Sequence, residues 1–344
     1  MQAVILVGGE GTRLRPLTAS VPKPVVPLVD RPFLAYMLEW LRSHGVEDVV
    51  LSMGYLSTAV RNVLGDGSAW GLRLRYVEEP DPRGTAGALK YAEPLLEERF
   101  FMLNGDVLTD IDLGAQLAQH EATGAKGTLA LVPVDDPSAY GLVRLQEDGA
   151  VREFVEKPPA DQIDTNLISA GAYVLERSVL DLIEPDRNVS IEREIWPALV
   201  GDGLYGFPAR DAYWLDIGTP ETYLRGTFDL LQGKVRGDVV QAIGEGCAIA
   251  TDARVGSLAV LGPNVTVESG ARIDRAVVLA GSHVGPGADL SDCIVAPGAR
   301  IGAGTVVSGG AVVGEGVTIG AGNVLTHGVK LFPGTVLGDG AIKF

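Results

Sequence analysis

The sequence predicts an α/β protein in two parts: a Rossmann-like, mostly parallel sheet domain, then a C-terminal left-handed parallel β-helix. Three observations carry this reading. Up to about residue 230, short apolar runs of strand length alternate with stretches of helical periodicity. After Gly233 glycine becomes frequent and aromatics nearly vanish. In that second region an aliphatic residue recurs every six positions, a spacing that is neither helical nor simple alternation.

In chain order, Ala3 to Val7 is an apolar run ending at Gly8-Gly9, as a buried parallel strand does. From Phe33 to His44, Leu34, Leu38 and Leu41 share one helical face, with Pro32 suited to the first turn and Gly45 to the stop. Asp48 to Ser52 reads as a second strand, Leu72 to Val77 as a half-exposed one, and Phe100 to Leu103 as a buried one running into Asn104-Gly105-Asp106. Gly141 to Leu145 and Val151 to Val155 flank the hairpin signal Asp148-Gly149. Thr219-Pro220 opens a helix running to about Gln232.

The hexad series begins with Ile243, Ile249, Val255, Leu261, Val267, Ile273 and Leu279. Its phase slips near His283 to Asp292 and resumes with Val295, Ile301, Val307, Val313, Ile319, Leu325, Leu331 and Leu337. Three hexads per turn give about five coils, each aliphatic residue pointing inward. The expected domains are therefore 1–233 and 234–344. A chain of 344 residues is also long for a single core.

Composition narrows the function. The formal net charge is −16, which disfavours nucleic acid and anionic membranes as partners. No stretch approaches the ~18–20 apolar residues of a membrane span, and the N-terminus has no basic-then-apolar leader pattern, so a cytoplasmic location is expected. Cys247 and Cys293 form neither a metal-like nor a redox-like pair and read as small buried residues.

The segment Gly8-Gly9-Glu10-Gly11-Thr12-Arg13-Leu14 directly follows the first strand. Glycines there allow close backbone approach to a phosphate, with N–H groups turned toward it. The spacing is neither that of the GxxxxGK[ST] loop nor that of GxGxxG, and a tight turn alone would also explain it. Arg13 and Lys23 add cations, Lys23 framed by Pro22 and Pro24; arginine can clamp phosphate oxygens through two N–H groups and lysine offers a point charge.

At this point the chain resembles the sugar-1-phosphate nucleotidyltransferases. The resemblance rests on the glycine loop with Pro22-Lys23-Pro24, on Asn104-Gly105-Asp106, and on Phe154-Val155-Glu156-Lys157-Pro158. Ser190-Ile191-Glu192 with Glu194, and Trp214 with Asp216-Ile217-Gly218-Thr219-Pro220, extend it over nearly the whole chain. It implies attack by a sugar-phosphate oxygen on the α-phosphorus of a nucleoside triphosphate, releasing pyrophosphate. The nucleophile is already an ionised phosphate, so no general base is needed, which suits a chain with four histidines in no triad pattern.

By this resemblance Asp106 and Asp216 hold Mg2+, each closing an apolar strand where open α/β sheets place their crevice. Arg13 holds the pyrophosphate end, Lys23 the α-phosphate and Lys157 the phosphate of the sugar. Gly8, Gly9, Gly11 and Thr12 form the loop. Glu156 accepts from sugar hydroxyls, Gly141 lends backbone groups, and Ser169 and Gly171 lie near the sugar. Glu78, Glu79, Gly84 and Thr85 belong to a base-binding segment whose Glu-Glu-Pro order is similar to the mannose-1-phosphate guanylyltransferases, a carboxylate accepting from guanine N1 and N2. Which glutamate does so stays open. The favoured branch often reads Asn-Ala-Gly where this chain has Ser169-Ala170-Gly171. Serine is shorter and carries no amide, so this departure bears on a hydrogen bond to a sugar hydroxyl and leaves the sugar open, mannose first and glucose second.

GTP and mannose 1-phosphate are thus the expected substrates. The alternatives are a glucose-1-phosphate thymidylyltransferase and a non-catalytic regulatory relative. Acyl transfer by the β-helix would need a histidine base, and His283 and His327 sit in no recognised pattern. The β-helix is expected to contribute to a homo-oligomer, since a solenoid's flat faces invite self-association.

Overall fold

The computed structural model describes residues 1–54, 57–236 and 241–343. By packing, the chain falls into two compact units, Met1–Gly9 with Leu34–Trp214, and Glu10–Phe33 with Leu215–Phe344. The change of sequence pattern after Gly233 is thus not where packing divides the chain.

In the first unit the elements that build the main sheet and its longer helices are β1 (Gln2–Leu6), α1 (Phe33–Ser43), β2 (Asp48–Met53), α2 (Ser57–Leu64), β3 (Arg73–Glu78), α3 (Gly84–Ala92), β4 (Arg99–Asn104), α4 (Leu113–Thr123), β5 (Gly127–Pro133), β6 (Gly141–Leu145), β7 (Val151–Glu156), β8 (Leu167–Glu176) and β9 (Leu204–Pro208). They build a nine-stranded sheet in the order β7-β6-β8-β4-β1-β2-β3, with β5 between β8 and β9. Strands β4, β1, β2 and β3 are mutually parallel, as the βα alternation requires. The sheet as a whole is mixed rather than mostly parallel. Asp148-Gly149 folds β6 and β7 into an antiparallel hairpin, and β8 returns antiparallel to β4, β5 and β6. Helix propensity and burial agree in α1, whose Leu34, Leu38 and Leu41 are fully buried.

The two ends of the parallel strands differ in chemistry. At the amino ends, Gln2 Nε2 donates to Asp48 Oδ2 at 2.7 Å and Arg73 Nε donates to Asp48 Oδ1 at 3.0 Å. Arg75 pairs with the same carboxylate, so one buried acid ties β1, β2 and β3 together. The carboxyl ends, by contrast, open into loops that carry the chemistry-bearing residues.

In the second unit, two-residue strands recur through the β-helix, and the aliphatic residue is the second of each pair, as in Ala248–Ile249, Thr266–Val267 and Arg300–Ile301. Pairing among these β-helix strands is parallel, Ile249 opposite Val267 and Val267 opposite Val284. The phase slip has a structural form. Two seven-residue strands, Arg272–Val278 and Asp289–Val295, run on through a corner where the other coils turn. In each, one left-handed residue, Arg275 (φ 48°) or Asp292 (φ 45°), replaces the longer turn, and the inward step shortens from six to five. Val278, not Leu279, is therefore the residue that stacks between Leu261 and Val295. The two corner residues stack in register and pair, Arg275 Nε donating to Asp292 Oδ1 at 2.8 Å.

Glycine follows the aliphatic residue because coils meet there: a β-carbon on Gly302 would lie 2.3 Å from the Gly320 carbonyl carbon. The same unit includes the helix α5 (Pro220–Leu231), capped by Thr219 through a reciprocal capping box with Thr222. Helix α5 packs on the two long β-helix strands, with the Arg275 guanidinium over the Phe228 ring, 4.6 Å from its centre.

Candidate active site

Parallel pairing aligns Leu6 with Asn104 and with Ser52, and Met53 with Glu78, so the loops after β1, β2, β3 and β4 share one sheet edge. The antiparallel strands continue that edge, because Ile168 pairs with Leu142 and Gly141 with Glu156. Gly8, Gly9, Glu79, Asp106, Gly171, Ser169, Gly141, Glu156 and Lys157 are thus strung along one side of the sheet. This is the side on which open α/β sheets bind their ligands.

At one end of this row, Glu79 follows β3. Its Oε1 accepts from Ser52 Oγ at 3.0 Å, and a β-carbon on Gly8 would lie 3.8 Å from the same oxygen. Burial pushes the Glu79 carboxyl above its usual range, against opposing pulls from Ser52 and Arg83. Glu78 has a different setting: exposed, with its Oε1 accepting from Arg61 Nε at 3.1 Å. Gly84 and Thr85 begin α3, and the chain 187–191 packs across this helix start. Ala86 N–H donates to the Val189 carbonyl at 2.9 Å. A β-carbon on Gly84 would lie 2.6 Å from the Val189 oxygen, and one on Gly87 2.5 Å from the Arg187 oxygen.

In the middle, Asn104-Gly105-Asp106 turns tightly against β1, Gly105 N–H donating to the Leu6 carbonyl at 2.9 Å. A β-carbon on Gly105 would lie 2.3 Å from Val7 Cγ1, so only glycine lets the acid follow the strand here. Asn104 carries a buried side-chain oxygen with no hydrogen-bond partner among the described residues, and its amide packs on Gly171.

At the far end, Glu156 closes β7, and burial followed by the charge of Glu192 raises its carboxyl, against Lys157 and Arg193. Lys157 has a left-handed backbone, φ 50°, held by its N–H donating to the Tyr140 carbonyl at 3.0 Å. A non-glycine residue at such a φ is strained, and such residues cluster at functional sites. Gly141 is required by packing, since a β-carbon there would lie 2.4 Å from the Phe154 ring. Ser169 Oγ and the Tyr173 hydroxyl are 3.0 Å apart. Tyr173 is fully buried, and burial together with Glu192, Glu156 and Asp106 pushes its hydroxyl far up. Trp214 Nε1 donates to the Ala170 carbonyl at 2.8 Å and its ring meets Tyr140 edge-on.

The second unit carries its own cluster. Arg13 and Lys23 flank one carboxylate, with Arg13 3.6 Å from Asp216 Oδ2 and Lys23 3.9 Å from Asp216 Oδ1. Gly11, at φ 63°, lets Lys23 pass beneath the loop: a β-carbon there would lie 3.1 Å from Lys23 Cβ. Thr12 starts a single 3-10 turn that displays Arg13 outward, while Lys23 is buried. A β-carbon on Gly218 would lie 2.8 Å from the Arg13 guanidinium and 3.0 Å from Asp216 Oδ2, so that glycine admits the pair.

Sequence reasoning assigned no role to Tyr173, Trp214, Asn104, Gly218 or Glu192. The signal for four of them was present, since Asn104, Glu192, Trp214 and Gly218 stand inside motifs already quoted. Tyr173 offered none, being one apolar-facing residue of a buried strand.

A glycine turn and carboxylates at the carboxyl ends of parallel strands are the arrangement with which α/β enzymes meet their ligands. The nucleotidyl transferase profile matches residues 2–233, and a profile described as the GMPPB C-terminal domain matches residues 237–339. The chain belongs to the nucleotidyl transferase family. It is 40% identical over 322 residues to a mannose-1-phosphate guanylyltransferase of Mycobacterium tuberculosis, covering 89% of this chain and 83% of that one. It is 35% identical to the catalytic subunit beta of mannose-1-phosphate guanylyltransferase from Danio rerio, covering 88% of each. Among solved structures it is similar to HddC from Yersinia pseudotuberculosis complexed with GMP-PN, with a TM-score of 0.56, 28% identity, and coverage of 66% of this chain and 97% of that one. Among the described residues no helix is long and apolar enough to cross a membrane.

Proposed function

We propose that the protein transfers a guanylyl group from GTP to mannose 1-phosphate, forming GDP-mannose and pyrophosphate. The observation that carries this is the identity, 35% or more over most of both chains, to relatives named mannose-1-phosphate guanylyltransferase. The setting of Glu79 supports the choice of base. A carboxylate oriented by Ser52 can accept from guanine N1–H and N2–H together, an edge that pyrimidines do not present.

In this reading the catalytic domain spans 1–233 and the β-helix 234–344, which the limits of the two profile matches support. Gly8, Gly9, Gly11 and Thr12 form the phosphate-facing loop. Arg13 binds the pyrophosphate end and Lys23 the α-phosphate, each preset by Asp216. Lys157 binds the sugar phosphate. Glu156 accepts from sugar hydroxyls beside Gly141, Ser169 and Gly171. Of the acidic pair, Glu79 reads the base and Glu78 stays with Arg61. Gly84 and Thr85 shape the turn that follows.

A sugar-phosphate oxygen attacks the α-phosphorus, and the bond to the departing pyrophosphate breaks. Two anions must touch, so catalysis is mostly neutralisation and alignment. Asp106 and Asp216 are the proposed magnesium ligands. The described residues hold no group of three or more His, Cys, Asp or Glu placed around a metal. Two carboxylates suit an ion that draws its remaining ligands from phosphate and water. When bound, it neutralises phosphate charge. The proposal includes self-association through the β-helix and a cytoplasmic location, with both substrates.

The test is pyrophosphate release from purified protein given GTP, dTTP, UTP or ATP with mannose or glucose 1-phosphate. GTP with mannose 1-phosphate is expected to turn over fastest. A clear preference for dTTP overturns the assignment.

A further inference from the structure

The segment around Glu192 has no role in the reaction as assigned so far. Residues Ile191–Ile195 form a π-helical turn, continued by the short helix Trp196–Leu199. Ile191, Ile195 and Trp196 are buried and anchor this turn in the core. Glu192 is half-buried and faces the first turn of α3. Its Oε2 accepts from Thr85 Oγ1 at 2.8 Å and from Ser190 Oγ at 2.7 Å. Thr85 Oγ1 in turn accepts from the Ile191 N–H at 2.8 Å. The turn also packs against β7, the strand that ends at Glu156, and the Glu192 charge disfavours ionisation of Glu156 and of the Tyr173 hydroxyl. Lys157 and Arg193 oppose it at Glu156, and Asp106 joins it at Tyr173.

We propose that Glu192 is a positioning residue that joins the two substrate halves of the site. Through Thr85 it fixes the turn that follows the base-reading glutamate, and on the other side its turn packs against β7, whose last residue, Glu156, meets the sugar. A π turn, which inserts one residue into a helical register, is what lets Glu192 leave the core line of Ile191, Ile195 and Trp196. The inference rests on the roles given above to Glu79 and Glu156.

Two variants test it. Glu192→Gln keeps the size and one acceptor for Thr85 but removes the charge; Glu192→Ala removes both. Removing the charge lets Glu156 ionise at lower pH, so the acid limb of kcat/KM for the sugar phosphate should move to lower pH in both variants. The KM for the nucleotide should stay within about twofold in Glu192→Gln and rise about tenfold in Glu192→Ala. A merely structural role would raise both KM values together in Glu192→Ala and leave the acid limb in place. Should the alanine variant melt before assay, the glutamine variant decides alone: an unmoved acid limb overturns the inference. Each comparison uses whichever nucleotide and sugar phosphate the unaltered enzyme prefers. A wrong substrate assignment then shows in the unaltered enzyme, and a wrong role for Glu192 shows only between variants.

Discussion

Glu78 and Glu79 are neighbours with the same side chain and opposite surroundings. One lies exposed against Arg61; the other is desolvated and bonded to Ser52. Nothing in the order Glu-Glu-Pro separates them, because the difference comes from β2, which supplies Ser52 from 27 residues away. Glu79→Gln should raise the KM for GTP about tenfold or more, since an amide offers one acceptor and turns a donor toward guanine donors. The pH dependence has a definite sign. Burial raises the Glu79 carboxyl, so the ionised acceptor is lost at a higher pH than for an ordinary glutamate, and GTP affinity falls as pH drops through that point. Steady-state kinetics across acid pH should show this loss in the unaltered enzyme and not in Glu79→Gln. Residue types and strand ends were thus legible in the sequence, whereas partners such as Tyr173 and Ser52 depend on which strands become neighbours.

At the scale of elements, most of the strands, α1 and the capped α5 stood close to where periodicity and turn chemistry put them. Two features did not. The sheet is mixed because antiparallel return is a matter of long-range pairing, which period-two alternation does not encode. The β-helix phase slip resolves into two five-residue steps at Arg275 and Asp292, whose ion pair supports a corner that neither residue would favour alone.

The amino ends of β1, β2 and β3 supply a stability prediction. Burial pushes the Asp48 carboxyl up, but hydrogen bonds from Arg75, Gln2 and Arg73 together outweigh it, leaving the group below its usual range. A depressed carboxyl contributes stability that is present above its unfolded value and lost as pH falls through its folded one. Asp48→Asn should therefore cost about 3 kcal/mol near neutral pH, by leaving arginines beside a neutral amide. It should also flatten the acid limb of the stability curve. Denaturant melts at neutral and acid pH check both, and an unchanged acid limb would remove Asp48 from the account.

The whole chain poses a question about what the β-helix is for. Sequence grammar separates it cleanly at Gly233, and self-association is a sufficient reason for a solenoid to be present. Packing adds a second reason. Residues 10–33, which carry Arg13 and Lys23, and residues 215–232, which carry Asp216, belong to the same compact unit as the β-helix. Ser20 donates to Glu315, Tyr223 donates its hydroxyl proton to the Pro27 carbonyl at 2.5 Å, the Gln241 N–H donates to Asp30 at 2.9 Å, and Arg275 covers Phe228.

A chain ending at residue 233 keeps every residue proposed to touch substrate, and keeps the Tyr223–Pro27 bond, but loses the contacts made by Glu315, Gln241 and Arg275. Displacing the cations proposed to bind the triphosphate by an ångström or so is enough to cost about a hundredfold in rate. The shortened chain should thus fold its sheet, retain α-helical and β-sheet circular dichroism from the first unit, and lose most of its turnover together with GTP affinity. If the β-helix served assembly alone, the same chain would fall to a smaller species in light scattering while keeping kcat/KM within about twofold. Measuring oligomer size and kinetics on one preparation separates these outcomes, because a loss of size without a loss of rate would refute the bracing role.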